Sequence, residues 1–164
     1  MTTVLIADDE VDHRELLTLA LRRAGYEVVS VANAAAAVDA LGRGGIDAAL
    51  IDVRMPGRSG IELCRDIRGN PATESLPIMV ISADVHRNQI MAALHAGADD
   101  YLTKPFGRED LAQRLAHLLR RPGSEALRSA ASSRAALLAA RHAASPATAT
   151  RAKPWGEVRI RRTA

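Results

Sequence analysis

The chain has 164 residues, which is enough for one domain with a complete hydrophobic core and barely enough for two. Apolar residues make up 48% of it but aromatic residues only 2%, so a core must consist mainly of Val, Ile, Leu and Ala. The single cysteine, Cys64, excludes an internal disulfide and is expected to be a small buried hydrophobe. The sequence shows neither a secretory signal nor an apolar run of roughly 18 residues, so we expect a cytoplasmic protein that is not embedded in a membrane.

The net charge of +3 conceals two unlike parts of the chain. Residues 1–120 contain 13 Lys and Arg against 17 Asp and Glu, a net charge of −4, whereas residues 121–164 contain 9 against 2, a net charge of +7. The second part is rich in Ala, Ser, Thr and Arg and has too few large apolar side chains to fold alone. We expect residues 122–164 to be a basic tail that is partly helical, because Ala favours helices, but largely disordered.

Within the first 120 residues, short strand-like runs alternate five times with longer helical patterns. The predicted strands are Thr3–Ala7, Glu27–Val31, Ala48–Ile51, Ile78–Ile81 and Asp100–Thr103. The predicted helices are Asp12–Ala24, Asn33–Gly42, Gly60–Arg68, His86–Ala96 and Arg108–Arg120. Five strand–helix units with short connections predict an α/β fold: a doubly wound, five-stranded parallel sheet with helices on both faces.

Residues at the ends of the predicted helices suit those positions. Asn33 can cap the second helix, and Ser59 with Glu62 forms the Ser-x-x-Glu pattern of a capping box at the start of the third. Gly25 and Gly97 stand where a helix would end in the left-handed conformation. These signals support the helix boundaries independently of the apolar pattern.

Polar residues stand at the carboxyl ends of four predicted strands: Asp8 and Asp9, then Asp52, Ser82 and Lys104. In a parallel α/β sheet these ends lie along one edge, where ligands bind. Chain order therefore predicts a cluster of three carboxylates, a hydroxyl and an ammonium group. A carboxylate that attacks an anionic phosphoryl group meets charge repulsion, so a cation such as Mg²⁺ must stand between them. The cluster predicts a site that binds a divalent metal and accepts a phosphoryl group.

Four stretches of sequence resemble the receiver domains of bacterial response regulators in two-component systems. They are Asp8–Glu10, Asp52–Pro56 followed by Gly60, Ile81–Ala83, and Gly97–Phe106. The resemblance covers roughly residues 3–120. It implies a flavodoxin-like three-layer α/β/α sandwich with strand order 2-1-3-4-5 and a receiver domain over residues 1–121.

The resemblance also implies a role for each residue of the cluster. Asp52 would be the phosphoacceptor and form an acyl phosphate, while Ser82 and Lys104 would contact phosphoryl oxygens. The cation would be Mg²⁺ or Mn²⁺. Its ligands would be Asp9 and Asp52 directly, Asp8 largely through water, and the backbone carbonyl of Arg54.

Ser82 and Tyr101 would together form the switch of such a domain. When Ser82 moves toward the phosphoryl group, Tyr101 would fill the space behind it. The equilibrium between conformations of the surface formed by the fourth helix, fifth strand and fifth helix would then shift. The Lys104–Pro105 bond resembles the family's cis peptide, which would aim the lysine inward.

Two further residues, Arg54 and Asp84, flank the path by which water would reach a phosphorylated Asp52. We expect them to tune the lifetime of that state, in a direction that the sequence does not give.

The resemblance implies a relay rather than an enzyme, apart from self-catalysed phosphoryl acceptance and slow autodephosphorylation. A sensor histidine kinase or a phosphotransfer protein would supply the phosphoryl group. A downstream protein would bind the surface of the fourth helix, fifth strand and fifth helix, where a phosphorylation-dependent homodimer could also form. The Ala/Arg-rich tail cannot supply a helix-turn-helix, so no DNA-binding domain is expected.

Two other functions stay open. The chain could be an unphosphorylated receiver-like docking module, although the complete acid–hydroxyl–lysine set argues against this. It could also be a metal-dependent phosphatase with an Asp nucleophile. Those enzymes typically place the nucleophile after the first strand with a second Asp two residues later, whereas Asp52 follows the third strand and residue 54 is Arg.

The remaining charged residues give weaker signals. The basic tail could contact nucleic acid non-specifically, although a solvated tail is the simpler expectation. The five histidines show no spacing typical of metal ligands and are expected to be ordinary surface residues. They are His13, His86, His95, His117 and His142.

Overall fold

The structure, a computed structural model, describes residues 1–120, so the predicted tail over 122–164 lies outside the described residues. The strands are β1 (Thr3–Ala7), β2 (Glu27–Val31), β3 (Ala48–Asp52), β4 (Ile78–Ser82) and β5 (Asp100–Thr103). The helices are α1 (Val11–Arg23), α2 (Ala34–Gly42), α3 (Gly60–Gly69), α4 (Arg87–His95) and α5 (Arg108–Leu119). In this part of the chain, none of the helices has the length and apolar character needed to cross a membrane.

The five strands form one parallel sheet in the order β2-β1-β3-β4-β5. This confirms the α/β class and the strand order that the resemblance implied. The register places Ala7 beside Ile51 and Ser82 beside Thr103, so the strands that carry the predicted site end at the same edge. The strand order reverses between β1 and β3, and a crevice forms at such a reversal in α/β sheets.

Different helices cover the two faces of the sheet, and successive strand residues alternate between the faces, as the period of a strand requires. One buried cluster joins the strands to α2, α3 and α4 and includes Leu5, Ile51, Ala37, Leu63, Ile67 and Ile90. The other joins them to α1 and α5 and includes Ile6, Leu50, Leu17, Leu21, Leu111 and Leu115. Because both faces are covered, every residue of β3 and β4 is buried, which explains their apolar runs.

The helix ends have the structures that the sequence predicted. The Asn33 side chain accepts a hydrogen bond from the backbone at the start of α2 (2.8 Å). Ser59 and Glu62 form both hydrogen bonds of a capping box at the start of α3. Gly25 and Gly97 have φ angles of 91° and 108°, which side chains with a Cβ rarely adopt.

Two strands are one residue longer than predicted, because backbone pairing continues through the polar residue at the end. Asp52 pairs with Ile81 of β4, and Ser82 pairs with Thr103 of β5. Both polar residues are therefore held by the sheet itself rather than by the loop after it.

At the opposite edge of the sheet, Arg68 joins the end of α3 to the segments that lead into β4 and β5. Its guanidinium donates to the backbone carbonyls of Leu76 (2.6 Å) and Gly97 (2.9 Å) and to the carboxylate of Asp99 (2.9 Å). The Asp99 carboxylate also accepts from the backbone N–H of Ile78 (2.9 Å). This buried group of contacts was not predicted from the sequence.

Candidate functional site

Asp8 directly follows β1 and is held from several sides. Its backbone N–H donates to the Val31 carbonyl of β2 (3.1 Å), and its backbone carbonyl accepts from the Arg14 guanidinium (2.7 Å). Its carboxylate accepts from the Glu10 backbone N–H (2.9 Å) and contacts Nδ1 of His13. The residue is only 1% exposed. The carboxylate is therefore fixed in a buried position at the edge of the sheet.

Asp52 ends β3 and is 6% exposed. Its Oδ1 accepts from the Arg54 backbone N–H (3.0 Å), and its Oδ2 accepts from the Lys104 ammonium (2.8 Å). Gly60 allows α3 to begin against this residue, since a Cβ at position 60 would lie 2.1 Å from the Asp52 carbonyl oxygen. The close approach of helix and strand therefore requires glycine at position 60.

Lys104 follows β5, where its backbone N–H donates to the Ser82 carbonyl (2.8 Å). The Lys104–Pro105 bond is cis, as the resemblance implied. The ammonium Nζ lies 2.8 Å from Asp52 Oδ2 and 3.9 Å from Asp8 Oδ2. Two carboxylates and one ammonium leave these three side chains with a formal charge of −1. Together they still attract a further cation.

Ser82 and Tyr101 lie in the core, on β4 and β5. Both are 2% exposed. The Tyr101 hydroxyl donates to the Asp84 carbonyl (2.8 Å), and the Ser82 Oγ accepts from the Asp84 backbone N–H (3.1 Å). Burial raises the pKa of Tyr101, and a hydrogen bond with the Ser82 hydroxyl partly opposes that rise. The two predicted switch residues are therefore already linked through the loop after β4.

Arg54 and Asp84 lie at the outer side of the site. Arg54 is exposed, and the side chain of Asp84 is 29% exposed. The Asp84 carboxylate accepts from the His86 backbone N–H (2.8 Å) and contacts the His86 ring (2.6 Å). The backbone hydrogen bond is the main reason that the pKa of Asp84 lies below its usual value, and the charge of Arg54 contributes a little. The two side chains thus influence each other electrostatically.

Asp9 is not brought into the group that the structure assembles. It is exposed, whereas the possible metal-ligand atoms that converge belong to Asp8, Asp52 and His13 and lie within 4.8 Å of one another. The ligand role of Asp9 stays a prediction, and so does that of the Arg54 carbonyl.

The donor set fits a divalent cation. Carboxylate oxygens are the ligands that Mg²⁺ prefers, and neighbouring ligand atoms of an octahedral ion with bonds of about 2.1 Å lie about 3 Å apart. The side chains of Asp8, Asp52 and His13 would draw together from their present separations, which are at most 4.8 Å, to bind one such ion. The pocket is also negatively charged and mostly buried, which favours a cation over water alone.

His13 corrects the expectation that the histidines are ordinary surface residues. Its side chain is 19% exposed, contacts Asp8 and meets the Phe106 ring edge-on, with ring centroids 6.1 Å apart. His13 is the third residue of α1, and helical side chains point back toward the start of their helix. A histidine in the first turn after an acidic strand end is the signal that could have revealed it. His86, His95 and His117 are exposed, as expected.

Comparison with known proteins finds the domain that the sequence motifs resemble. Residues 4–116 match the response regulator receiver domain family. The phosphate regulon transcriptional regulatory protein PhoB of Pseudomonas aeruginosa is 40% identical over 121 residues, which cover 74% of this chain and 53% of PhoB. The chain thus spans about half the length of the curated relatives it matches.

Solved structures match the described residues. The receiver domain of the sensor histidine kinase PA1611 from Pseudomonas aeruginosa has a TM-score of 0.69 and 31% identity over 73% of this chain and 98% of that one. It holds a magnesium ion in its active site cleft. The response regulator TrrA from Thermotoga maritima, in complex with Mg²⁺-BeF, has a TM-score of 0.65 and 31% identity over 72% of this chain and 99% of that one.

The family match extends over more than half of the chain, and its residues form the sheet and the acidic edge described above. The chain belongs to the response regulator receiver family, the signalling modules of two-component systems.

Proposed function

We propose that Asp52 accepts a phosphoryl group from a phosphohistidine of a sensor histidine kinase or a phosphotransfer protein, with Mg²⁺ as the metal. The observation that carries this proposal is the environment of Asp52. It is a buried carboxylate at the reversal of the strand order, with an ammonium 2.8 Å away and the Asp8 carboxylate nearby. This arrangement suits phosphoryl transfer, which depends mostly on positioning and charge neutralisation.

In the proposed reaction, a carboxylate oxygen of Asp52 forms a bond to phosphorus as the bond from phosphorus to the donor imidazole breaks. The imidazole leaves with the electron pair of that bond and takes a proton from solvent. Asp8, Asp9 and Asp52, with the Arg54 carbonyl, would hold Mg²⁺, which neutralises negative charge on the reacting groups. The Lys104 ammonium moves from Asp52 Oδ2 to a phosphoryl oxygen, where it remains a point charge.

Ser82 and Tyr101 carry the change away from the site. The Ser82 hydroxyl, which now accepts from the Asp84 backbone N–H, turns to donate to a phosphoryl oxygen. The Asp84 backbone then loses this partner, and because the Tyr101 hydroxyl donates to the Asp84 carbonyl, the preferred position of Tyr101 changes. Because Tyr101 lies on β5, this change shifts the equilibrium between conformations of the surface formed by α4, β5 and α5. A downstream protein, or a second phosphorylated copy, binds there.

Arg54 and Asp84 tune how long the phosphorylated state lasts. Both lie at the outer side of the pocket, where hydrolytic water must enter, and their charges interact. Substituting either residue with Ala is expected to change the rate of dephosphorylation while leaving the site of phosphorylation at Asp52. Phosphate release followed over time would measure this.

For the residues after position 120, the proposal rests on amino-acid composition. A boundary near residue 121 and a basic tail over 122–164 are supported by the change in net charge from −4 to +7. The proposed location is the cytoplasm. Titrating salt into a mixture of DNA with the full chain, and separately with residues 1–121, tests whether the tail contacts nucleic acid.

Mass spectrometry after incubation with Mg²⁺ and acetyl phosphate tests the central proposal. The unmodified chain should gain the mass of one phosphoryl group, and Asp52→Asn should gain none. Asp39→Asn is the matched control, since Asp39 is an exposed aspartate on α2, and it should gain the same mass as the unmodified chain.

The alternatives give different results in the same experiment. A chain that gains no mass in the presence of metal would be a docking module. Continuous turnover of a phosphate ester would indicate a phosphatase instead.

A further inference from the structure

We propose that a ring nitrogen of His13 is a ligand of the cation in this pocket, so that the site binds borderline transition cations such as Co²⁺ and Ni²⁺ much more tightly than a site of oxygen ligands would. The inference rests on the proposed function, because it concerns the same pocket. With His13 as a ligand, the pocket offers both oxygen and nitrogen donors to the cation instead of oxygen donors alone.

Three possible ligand atoms converge in the pocket. One ligand atom from each of Asp8, His13 and Asp52 lies within 4.8 Å of the other two, while Asp9 stays exposed outside this group. The three come from separate elements: the end of β1, the first turn of α1 and the end of β3. The fold, rather than one local stretch of sequence, brings the nitrogen to the two carboxylates.

The His13 ring has a fixed position. Its side chain is 19% exposed, Nδ1 contacts the buried Asp8 carboxylate, and the ring packs against Phe106. A solvated surface histidine samples several rotamers, whereas this ring is held on both sides. Little conformational freedom remains to be lost when the nitrogen binds an ion.

The charge of the pocket also favours a divalent cation. Asp8, Asp52 and Lys104 together carry a formal charge of −1. The pocket therefore keeps its attraction for a divalent cation while gaining a donor. Imidazole suits transition ions such as Ni²⁺, and carboxylate oxygen suits Mg²⁺, so the extra nitrogen should change selectivity more than it changes Mg²⁺ binding.

Calorimetric titration of the full chain with Mg²⁺ and with Ni²⁺ tests the inference. His13→Leu removes the nitrogen, and His117→Leu, on the exposed side of α5, is the matched control. We expect His13→Leu to weaken Ni²⁺ binding by about tenfold or more, since losing even an outer partner of a metal ligand costs that much. Mg²⁺ affinity should fall much less than Ni²⁺ affinity, because Mg²⁺ prefers oxygen ligands, and His117→Leu should match the unmodified chain for both ions.

A second measurement needs no substitution. Pulsed electron paramagnetic resonance of the unmodified chain with Mn²⁺ should show coupling to an imidazole nitrogen. Its absence from the spectrum would overturn the inference even if His13→Leu failed to fold.

The other outcomes of the titration distinguish failure of this inference from failure of the proposed function. Equal Ni²⁺ affinity in His13→Leu and the unmodified chain overturns the inference and leaves the proposed function standing, provided that both bind Mg²⁺. Loss of both ions in His13→Leu would make His13 a positioning residue for Asp8 rather than a ligand. Full Ni²⁺ affinity in Asp52→Asn would put the ion elsewhere. Failure of the unmodified chain to bind Mg²⁺ would overturn the proposed function itself.

Discussion

The ion pair of Asp52 and Lys104 shows how single residues prepare the site. The two side chains are 8% and 21% exposed, so their attraction is screened less than that of a surface pair. In the proposed reaction, the ammonium lies where a phosphoryl oxygen needs a positive partner. Because lysine is a flexible point charge, it can move from one anion to the next without a change in the backbone.

Gly60 is the residue whose replacement should damage the site most directly. A Cβ at position 60 would lie 2.1 Å from the Asp52 carbonyl oxygen and 2.8 Å from the Ile51 side chain, so the helix or the strand must move. We expect Gly60→Ala to lower the free energy of unfolding by about 3 kcal/mol, as severe overpacking does. It should also slow phosphorylation of Asp52. Chemical denaturation and the rate of acetyl phosphate labelling measure the two effects.

Gly69, at the other end of the same helix, is the matched control. A Cβ there meets nothing within 4 Å. Gly69→Ala should change stability by less than about 1 kcal/mol and leave labelling unchanged, since alanine is the better helix former. If Gly60→Ala behaved like Gly69→Ala, the close approach of α3 to Asp52 would not constrain the site.

At the scale of elements, α3 is attached at its far end by Arg68. The Arg68 and Asp99 side chains are 18% and 3% exposed, and together they join α3 to the segments before β4 and β5. Arg68→Met keeps the apolar stem but removes the charge beside a buried carboxylate. We expect a loss of about 3 kcal/mol in the free energy of unfolding, the lower end for breaking a buried pair. Urea denaturation measures it.

The ion pair of Arg58 and Asp66 gives the comparison within the same helix region. These side chains are 55% and 34% exposed. Arg58→Met should therefore cost less than about 1 kcal/mol, as exposed ion pairs usually do. Similar losses from the two substitutions would show that burial does not set the strength of the Arg68 contacts.

The capping box at the other end of α3 should make stability depend on pH. The backbone hydrogen bond from Ser59 is the main cause that lowers the pKa of Glu62 below its ordinary value of 4.5, and the Ser59 side chain adds to it. A lowered pKa means stability that is present above about pH 4.5 and lost as the pH falls through the lower value of the folded state.

We therefore expect the stability difference between the unmodified chain and Glu62→Gln to be full at neutral pH and to shrink below pH 4.5. Thermal unfolding across a pH series measures this difference. Ser59→Ala should remain destabilising at acid pH, because the serine hydroxyl that it removes caps the helix in either protonation state. A difference for Glu62→Gln that stayed constant through acid pH would contradict the assignment.

At the scale of the whole molecule, the sequence was sufficient to predict the features that depend on the order of apolar and polar residues. Apolar runs marked the strands, and the rule that parallel strands end together predicted that Asp8, Asp52 and Lys104 converge. The sequence could not predict contacts that depend on how the helices are rotated and packed against the sheet. His13 meets Asp8 because of the orientation of α1, and Arg68 meets Asp99 across 31 positions of sequence. The outward position of Asp9 depends in the same way on how the chain leaves β1.

Divalent cation binding should stabilise the whole domain, because the pocket joins the ends of β1 and β3, which only the folded chain brings together. A ligand present at a hundred times its dissociation constant adds about 2.7 kcal/mol to the free energy of unfolding. Thermal unfolding with Mg²⁺ should therefore give a higher midpoint than unfolding with a chelator at the same ionic strength. Asp52→Asn should lose most of this increase, and Asp39→Asn should keep it. An equal increase in both variants would mean that the ion binds away from Asp52.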